Sequence, residues 1–275
     1  MDEWREIAAG LSKPATRLVE KISDAVGVLY EPTYLRKIGG AKADVALLEA
    51  ATKVKVTDIE RRAIVRWRHE ETMNQRNMEE ILKKALPQIS DDANPDVLDN
   101  DWVSNLFGKC RAVSDKEMQS LWSKVLAGEV NMPGSFSKRT VNALSDLDRL
   151  EAELFTCLGG FVCDFGGYIP VVLNLDDQIY TDSGINYGTV RYLDSAGLID
   201  YGGITHTSIT AQKGDAISYY GSFLIVEEPR NGSFGMDCGI VNFTTVGHEL
   251  FPICGSKPID GFLEYLRLKW DKHLS

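Results

Sequence analysis

Between Asp58 and Leu86 the chain contains neither glycine nor proline, and Thr57 stands three residues ahead of Glu60 at the head of that stretch. Glycine and proline are the residues that end helices, whereas a Thr with a Glu at the third helical position forms a capping box that satisfies two backbone donors reciprocally. The stretch 57–86 is therefore predicted to be one helix, roughly 45 Å long at ~1.5 Å per residue. That exceeds the three or four turns of an ordinary globular helix, so something outside the helix must hold it. Its apolar residues, Ile59, Ala63, Ile64, Trp67, Met73, Met78, Ile81, Leu82, Ala85 and Leu86, form a stripe that thins between Arg66 and Asn77. The middle of the rod is expected to be wet or to meet a polar partner.

Other helices surround this one in sequence. Leu18, Ile22, Ala25, Val26 and Leu29 follow Trp4, Ile7, Ala8 and Leu11 at helical spacing, with an interruption expected near Pro14. This amphipathic stretch, diluted in charge by Glu3, Glu6, Glu20 and Asp24, is expected to dock on the protein's own body in preference to a membrane surface. Short helices are expected at Tyr34–Ile38 and from Ala41 to Ala51. The acidic connector 90–101 lacks the D-x-D-x-D-G pattern of a calcium loop, and Asn100 or Asp101 is expected to cap the helix that begins at Trp102. Ser114 with Glu117 marks a second capping box, and Met118, Leu121, Trp122, Val125 and Leu126 follow without a break in period. Gly128 is expected near the end of that helix, and Pro133-Gly134 is expected to stop it. Ser137 and Ser145 are expected to cap two more, and Gly159-Gly160 closes the helical half.

After Gly160 the texture becomes β-prone. Phe161–Phe165 and Tyr168–Leu173, separated by Gly166-Gly167, are predicted to form a hairpin. Asn186–Ala196 is predicted as a helix with Gly197 as its C-cap. Ile217–Val226 and Met236–Thr244, joined through Pro229-Arg230-Asn231-Gly232, are expected to pair as an antiparallel hairpin. A short helix from Thr245 and an amphipathic one from Ile259 to Leu274, presenting Phe262, Leu263, Leu266 and Trp270, end the chain. The fold class is thus α+β, in two domains. A predominantly helical half, 1–158, carries the long helix, and a smaller mixed half, 159–275, resembles a winged helix.

Charge narrows the choice of partners. The net charge is -10, and residues 156–275 carry seven basic against fourteen acidic side chains. A winged helix that bound DNA would be basic on the helix and the wing, yet only Arg191 and Arg230 are offered there. The single basic run, Arg61-Arg62, Arg66 and Arg68, lies on the long helix, and with Trp67 it is the candidate interaction site. It is read as a solvated face balanced by glutamates, with phosphate contacts as the alternative. No apolar run is long enough to span a bilayer, and the start Met1-Asp2-Glu3-Trp4-Arg5-Glu6 lacks a basic region followed by an apolar one, so a cytoplasmic location is expected.

Catalytic anchors are missing. His69, His206, His248 and His273 show no metal-ligand spacing, and His248-Glu249 departs from H-E-x-x-H because Pro252 holds the second histidine's place. Cys110, Cys157, Cys163, Cys238 and Cys254 are odd in number, irregularly spaced and without C-x-x-C, which predicts reduced thiols and no zinc site. G-x-S-x-G, Walker A and G-x-G-x-x-G loops are all absent, so no metal and no cofactor is expected. The carboxylate pairs Asp176-Asp177 and Glu227-Glu228 are adjacent in sequence and would face opposite sides of a strand.

Arg61-Arg62-Ala63, Glu70-Glu71, Gln75-Arg76-Asn77, Glu80, Asp101-Trp102, Ser114-Asp115-Lys116-Glu117-Met118-Gln119, Leu121-Trp122-Ser123-Lys124, Leu126-Ala127-Gly128-Glu129 and Pro133 through Thr140 together resemble an uncharacterised bacterial and prophage family, a domain of unknown function. The likeness spans roughly residues 15–160. The Leu-Trp helix before a Ser-rich turn is also similar to the abortive-infection alpha family. The resemblance implies a role in conflict between bacteria and phage and transfers no catalytic residue.

Three readings follow from the sequence. The first is a non-enzymatic protein that self-associates or binds a protein partner through the long helix, in phage defence. The second is a nucleic-acid-associated regulator using Arg61, Arg62, Arg66 and Arg68. The third is an enzyme whose residues converge only in three dimensions, with His206, His248 and Asp237 as its candidates.

Overall fold

The computed structural model describes residues 10–27, 57–202, 206–226 and 234–270. The helices expected at Tyr34–Ile38 and Ala41–Ala51, the turn Pro229–Gly232 and His273 lie outside those residues. Among the described residues are ten helices and eight short strands, and the chain divides into two compact units, Met1–Val141 and Asn142–Ser275. The protein is an α+β protein, helical first and β-containing after.

In the first unit, α1 (Lys13–Val26) carries Pro14 in its first turn, and Gly10–Ser12 just ahead of it are not helical, where the interruption was expected; Trp4, Ile7 and Ala8 lie outside the described residues. Proline at the first turn lacks only an N–H that no helix would use, and the Ser12 Oγ accepts from the Ala15 N–H at 3.3 Å. The helix buries Ala15, Leu18, Val19 and Ile22 and packs against α3 (Asn100–Cys110), so its apolar face is docked on the body of the unit.

The long helix, α2 (Asp58–Ala85), is unbroken, about 42 Å long at ~1.5 Å per residue. Its capping box is formed: the Thr57 N–H donates to Glu60 Oε2 at 2.7 Å, and Thr57 Oγ1 accepts from the Glu60 N–H at 3.4 Å. The bond from the Thr57 backbone holds the Glu60 carboxyl below its ordinary pKa. Towards its C-terminus α2 buries Met78, Ile81, Leu82 and Ala85 and packs on α4 (Lys116–Asn131). Two buried amides complete that seam. Asn77 Nδ2 donates to the Arg111 carbonyl at 2.9 Å and Gln119 Nε2 to the Val113 carbonyl at 3.0 Å. Lys84 Nζ donates to the Lys116 carbonyl at 2.7 Å, and burial lowers its pKa below the usual ammonium value.

The caps are shifted from those expected. Asp99, in place of Asn100 or Asp101, caps α3 through the Asp101 N–H, and Asp115, in place of Ser114, caps α4 through the N–H groups of Glu117 and Met118. In both cases a carboxylate makes charge-assisted bonds at the positive end of the helix, which a hydroxyl or a residue already inside the helix does not match. Ser137 does cap α5 (Lys138–Asp146), accepting from the Thr140 N–H at 3.3 Å.

Gly128, expected near the helix end, lies in the last turn of α4 and serves packing. A Cβ there would come within 2.5 Å of the Phe136 ring, which folds back against the helix. The neighbouring Glu129 is buried and accepts from the backbone N–H groups of Gly134 and Phe136, both at 2.8 Å. Trp102 Nε1 donates to the Phe136 carbonyl at 2.7 Å. The Pro133–Phe136 turn is thus fastened from both sides.

In the second unit α6 (Arg149–Gly159) is capped by Asp148, whose carboxylate accepts from the Glu151 N–H at 2.8 Å. Ser145, expected in that role, donates to the Asn142 carbonyl at 2.6 Å. Strands β1 (Val162–Asp164) and β2 (Tyr168–Pro170) form the expected antiparallel hairpin. After α7 (Gln178–Thr181) comes α8 (Tyr187–Ser195), capped by Asn186 and followed by Gly197 at φ +73°. The remaining elements are β3 (Ile199–Tyr201), β4 (Thr207–Ala211), β5 (Ala216–Tyr219), β6 (Ser222–Ile225), β7 (Phe234–Gly239), β8 (Val241–Phe243), α9 (Thr245–Leu250) and α10 (Phe262–Lys269).

Pairing here differs from expectation. Ile217–Val226 is itself a hairpin, β5–β6, turning at Tyr220-Gly221, and Met236–Thr244 divides into β7, paired with β4, and β8, paired with β3. The two runs therefore do not pair with each other, and the hairpin expected between them is not formed. The four-stranded sheet has the order β2-β1-β5-β6. An aromatic core backs it: Phe161 lies 4.8 Å from Tyr180 and 5.0 Å from Phe262, ring centre to ring centre. Helix α10 buries Phe262, Leu266 and Trp270, and Leu263 is half-buried.

Gly128→Ala is expected to destabilise the protein by about 1–3 kcal/mol through overpacking against Phe136. Glu129→Ala, which orphans two backbone donors, is expected to cost about 2–4 kcal/mol. Urea denaturation followed by circular dichroism measures both, and unchanged midpoints would contradict this account of the turn.

Candidate functional site

From Thr57 to Glu70 every residue of α2 and its cap is exposed. Exposure thus covers the N-terminal half of the rod and reaches into the middle expected to be wet, where Arg66–Glu70, Thr72 and Arg76 are exposed and burial sets in at Asn77. Ile59 is 71% exposed, Ile64 56%, Val65 65% and Trp67 64%. Trp67 precedes Ala85 by about five turns at ~3.6 residues each, so Trp67, with Ala63 and Ile64 beside it, lies on the face that farther along carries Met78, Ile81, Leu82 and Ala85. One apolar stripe therefore runs the length of the helix. Its C-terminal half is covered within the unit, and its N-terminal half is open.

The five residues singled out from the sequence all fall in this open half. Arg61 pairs with Asp58 at 2.9 Å and Arg66 with Glu70 at 3.1 Å, both exposed pairs along one helix. Such pairs contribute only a few tenths of a kcal/mol, roughly 0.3–0.5 at best. Arg61 and Arg68 flank the stripe on one side and Arg66 on the other, while Arg62 sits behind it. A surface concavity of about 450 Å³ on that rear face is lined by Arg61, Arg62, Val65, Arg66 and His69. Sequence reasoning missed Val65, and it included Ile59 and Ile64 only as members of the stripe. The signal was present in the continuity of the period; what the sequence did not carry was where α4 ends its cover.

The residues weighed for catalysis come together only in part. His206 Nδ1, just ahead of β4, and Asp237 Oδ1, within β7, are 3.3 Å apart and both exposed, whereas His248 packs edge-on against the Phe243 ring and touches neither among the described residues. Asp237 Oδ1 also accepts from the Gly239 N–H at 2.8 Å. No group of three or more His, Cys, Asp or Glu side chains is placed to hold a metal ion among the described residues. None of the described helices is long and apolar enough to cross a membrane.

All five cysteines are free thiols. Burial pushes the Cys110 and Cys238 thiols up to about 12 and raises Cys163 as well, so none of the three is a thiolate near neutrality. Iodoacetamide at pH 8 is expected to label the half-buried Cys157 and Cys254 first. Peptide mass mapping of Cys110, Cys163 and Cys238 as the early sites would contradict this burial pattern.

Residues 61–267 match the family described as protein of unknown function (DUF2806), and the chain belongs to that family. The matched span runs beyond the resemblance read at residues 15–160 and takes in the β-containing unit. The likeness to the abortive-infection alpha family has no counterpart among the comparisons. No curated protein and no solved structure matches the chain.

Proposed function

We propose that this member of the DUF2806 family is a non-enzymatic, self-associating protein whose N-terminal half of α2 pairs antiparallel with the same segment of a second copy. The observation that carries the reading is the open half of the stripe: Ile59, Ile64 and Trp67 remain exposed on a face that is otherwise buried. A patch of that kind on a helix is a helix-pairing surface. Charge favours a second copy as the occupant. Residues 58–71 carry four acidic and four basic side chains, so this segment is neutral in a chain of net charge -10 and does not repel itself. An antiparallel pair centred near Arg66 sets Arg61 of each copy opposite Glu71 of the other, a reciprocal match of the kind that fixes orientation between helices. An exposed segment about 20 Å long, at ~1.5 Å per residue, is short for an interface, so the assembly is expected to depend on concentration.

Sedimentation equilibrium tests the proposal. The wild-type protein is expected to shift from monomer to dimer with rising concentration, and Trp67→Glu to stay monomeric with unchanged helicity. Arg61→Glu is expected to weaken the dimer and Arg61→Glu with Glu71→Arg to restore it. A monomer at every concentration, or a dimer indifferent to these changes, contradicts the proposal. A role in bacterial defence against phage belongs to the same proposal and is supported by the sequence resemblance. Equal phage plating with and without expression of the chain in its host would contradict it.

A second reading rests on the rear concavity lined by Arg61, Arg62, Arg66 and His69, which offers a nucleic acid several cations on one face. If that surface binds phosphates, affinity for DNA or RNA falls steeply with salt, and Arg62→Ala lowers the slope of log K against log salt by about 1. Undetectable binding at low salt removes this reading.

A further inference from the structure

The register of the four-stranded sheet lines up a row of side chains across its strands. Asp164 on β1 stands opposite Tyr168 on β2 and Ser218 on β5, and Ser218 stands opposite Phe223 on β6. Directly opposed residues of antiparallel strands share a face, so Tyr168, Asp164, Ser218 and Phe223 form one transverse row. Tyr168 and Phe223 are exposed, and Asp164 and Ser218 are half-buried. The row thus forms part of the surface.

Above part of the row lies a cleft of about 330 Å³, lined among others by Asp164, Tyr168, Ser218, Tyr220, Phe251 and Ser256. That volume is at the small end of the range for ligand sites, about 300–1,000 Å³. Its walls are fastened. The Tyr168 and Phe251 rings meet edge to face at 4.8 Å. Tyr220 occupies the tight β5–β6 turn at φ +47°, followed by Gly221 at φ +85°, a pair of left-handed residues that a two-residue hairpin turn demands. Its hydroxyl donates to the Gly159 carbonyl at 2.9 Å, and the neighbouring Tyr219 hydroxyl donates to the Gly160 carbonyl at 2.7 Å. The turn is thereby tied to the end of α6, and the ring of Tyr220 is held at the rim.

The chemistry of the lining is one-sided. Three aromatic residues and one carboxylate line the cleft together with two serines, and no lysine, arginine or histidine lines it among the described residues. Asp164 Oδ1 accepts from the Gly166 N–H at 2.9 Å, and no ion pair engages its carboxylate among the described residues. Aromatic faces and an unpaired carboxylate both attract a cation, each contributing more as water is excluded. The surrounding half of the chain, with fourteen acidic against seven basic residues, adds a field of the same sense.

We propose that this cleft binds an organic cation, an alkylammonium or guanidinium group, with Asp164 as its counter-ion and Tyr168, Tyr220 and Phe251 as its aromatic walls. The site lies within the second unit and is independent of the helix surface on α2. Two sources offer such a cation, a free small molecule and a basic side chain of a peptide, and the same chemistry receives both.

Amide-resolved NMR titration of the full chain tests the proposal, with N-ethylguanidinium and tetramethylammonium as cations and the neutral ethylurea as control. At least one cation is expected to bind with a dissociation constant in the millimolar range, as befits a fragment, and to shift the amides of Gly166, Tyr220 and Gly221, while ethylurea leaves them in place. Asp164→Asn keeps the acceptor for Gly166 and is expected to weaken the cation at least tenfold. Tyr168→Leu, at an exposed position, is expected to weaken it severalfold with the remaining amide spectrum unchanged. A capped Gly-Gly-Arg-Gly-Gly peptide separates the sources: binding tighter than ethylguanidinium assigns a peptide side chain, and equal or weaker binding assigns the free cation. Ethylurea binding as well as the cations, an Asp164→Asn protein within twofold of wild type, or no response to either cation would overturn the proposal.

Discussion

The seam between α2 and α4 governs the first unit. Met78, Ile81, Leu82 and Ala85 are removed from water against a helix whose own Trp122, Val125, Leu126 and Val130 are fully buried, and Asn77 and Gln119 satisfy their amides on backbone carbonyls at its edge. Burying the larger of these side chains stabilises the fold by about 1.5–3 kcal/mol each, far more than the exposed ion pairs along the same helix. The seam also sets the limit of cover. Beyond Asn77 the helix runs on, held straight by its capping box and by i, i+4 pairs, and carries the unburied half of its stripe into solvent.

Two architectural devices keep that arrangement rigid. Gly128 lets Phe136 close on α4, and Glu129 turns a buried carboxylate into a double acceptor for the loop that follows. The residues that carry the family resemblance in this region, Leu126 to Glu129 and Pro133 to Thr140, are therefore the residues that build one helix–turn joint. In the second unit the joint is aromatic. Phe161, Tyr180, Tyr219 and Phe262 interlock beneath the sheet, and the tyrosine hydroxyls reach backbone carbonyls. Burial raises the pKa of Tyr180 and Tyr219, which keeps both as donors across the ordinary pH range.

Long-period signals were legible in the sequence and short-range competition was not. The capping box at Thr57 and Glu60, the stripe of α4 and the Gly166-Gly167 hairpin each rest on a pattern with a single good solution. Where an aspartate stood beside a serine or asparagine, at Asp99 and Asp115, and three residues beyond Ser145, at Asp148, the charged acceptor took the cap. The run Ile217–Val226 looked continuous because its turn is made by Tyr220, a bulky residue seldom found at positive φ, and Met236–Thr244 looked like one strand because its break falls between two short ladders with different partners. Pairing is a long-range choice that local pattern does not specify. For the site, Arg61, Arg62, Arg66, Trp67 and Arg68 were identifiable from charge and size, but the exposure of Ile59, Ile64 and Val65 depended on the position of another helix. The cleft at Asp164 depended on strand register and could not be read at all.

The central claim is that one continuous stripe is covered by its own unit only from Asn77 onward and by a second copy before it. Hydrogen–deuterium exchange at several protein concentrations measures this directly. The amides of Asn77–Ala85 should be protected equally at every concentration, while those of Ala63–Arg68 exchange fast when dilute and slow as the protein is concentrated. Uniform protection along α2, independent of concentration, would contradict the claim.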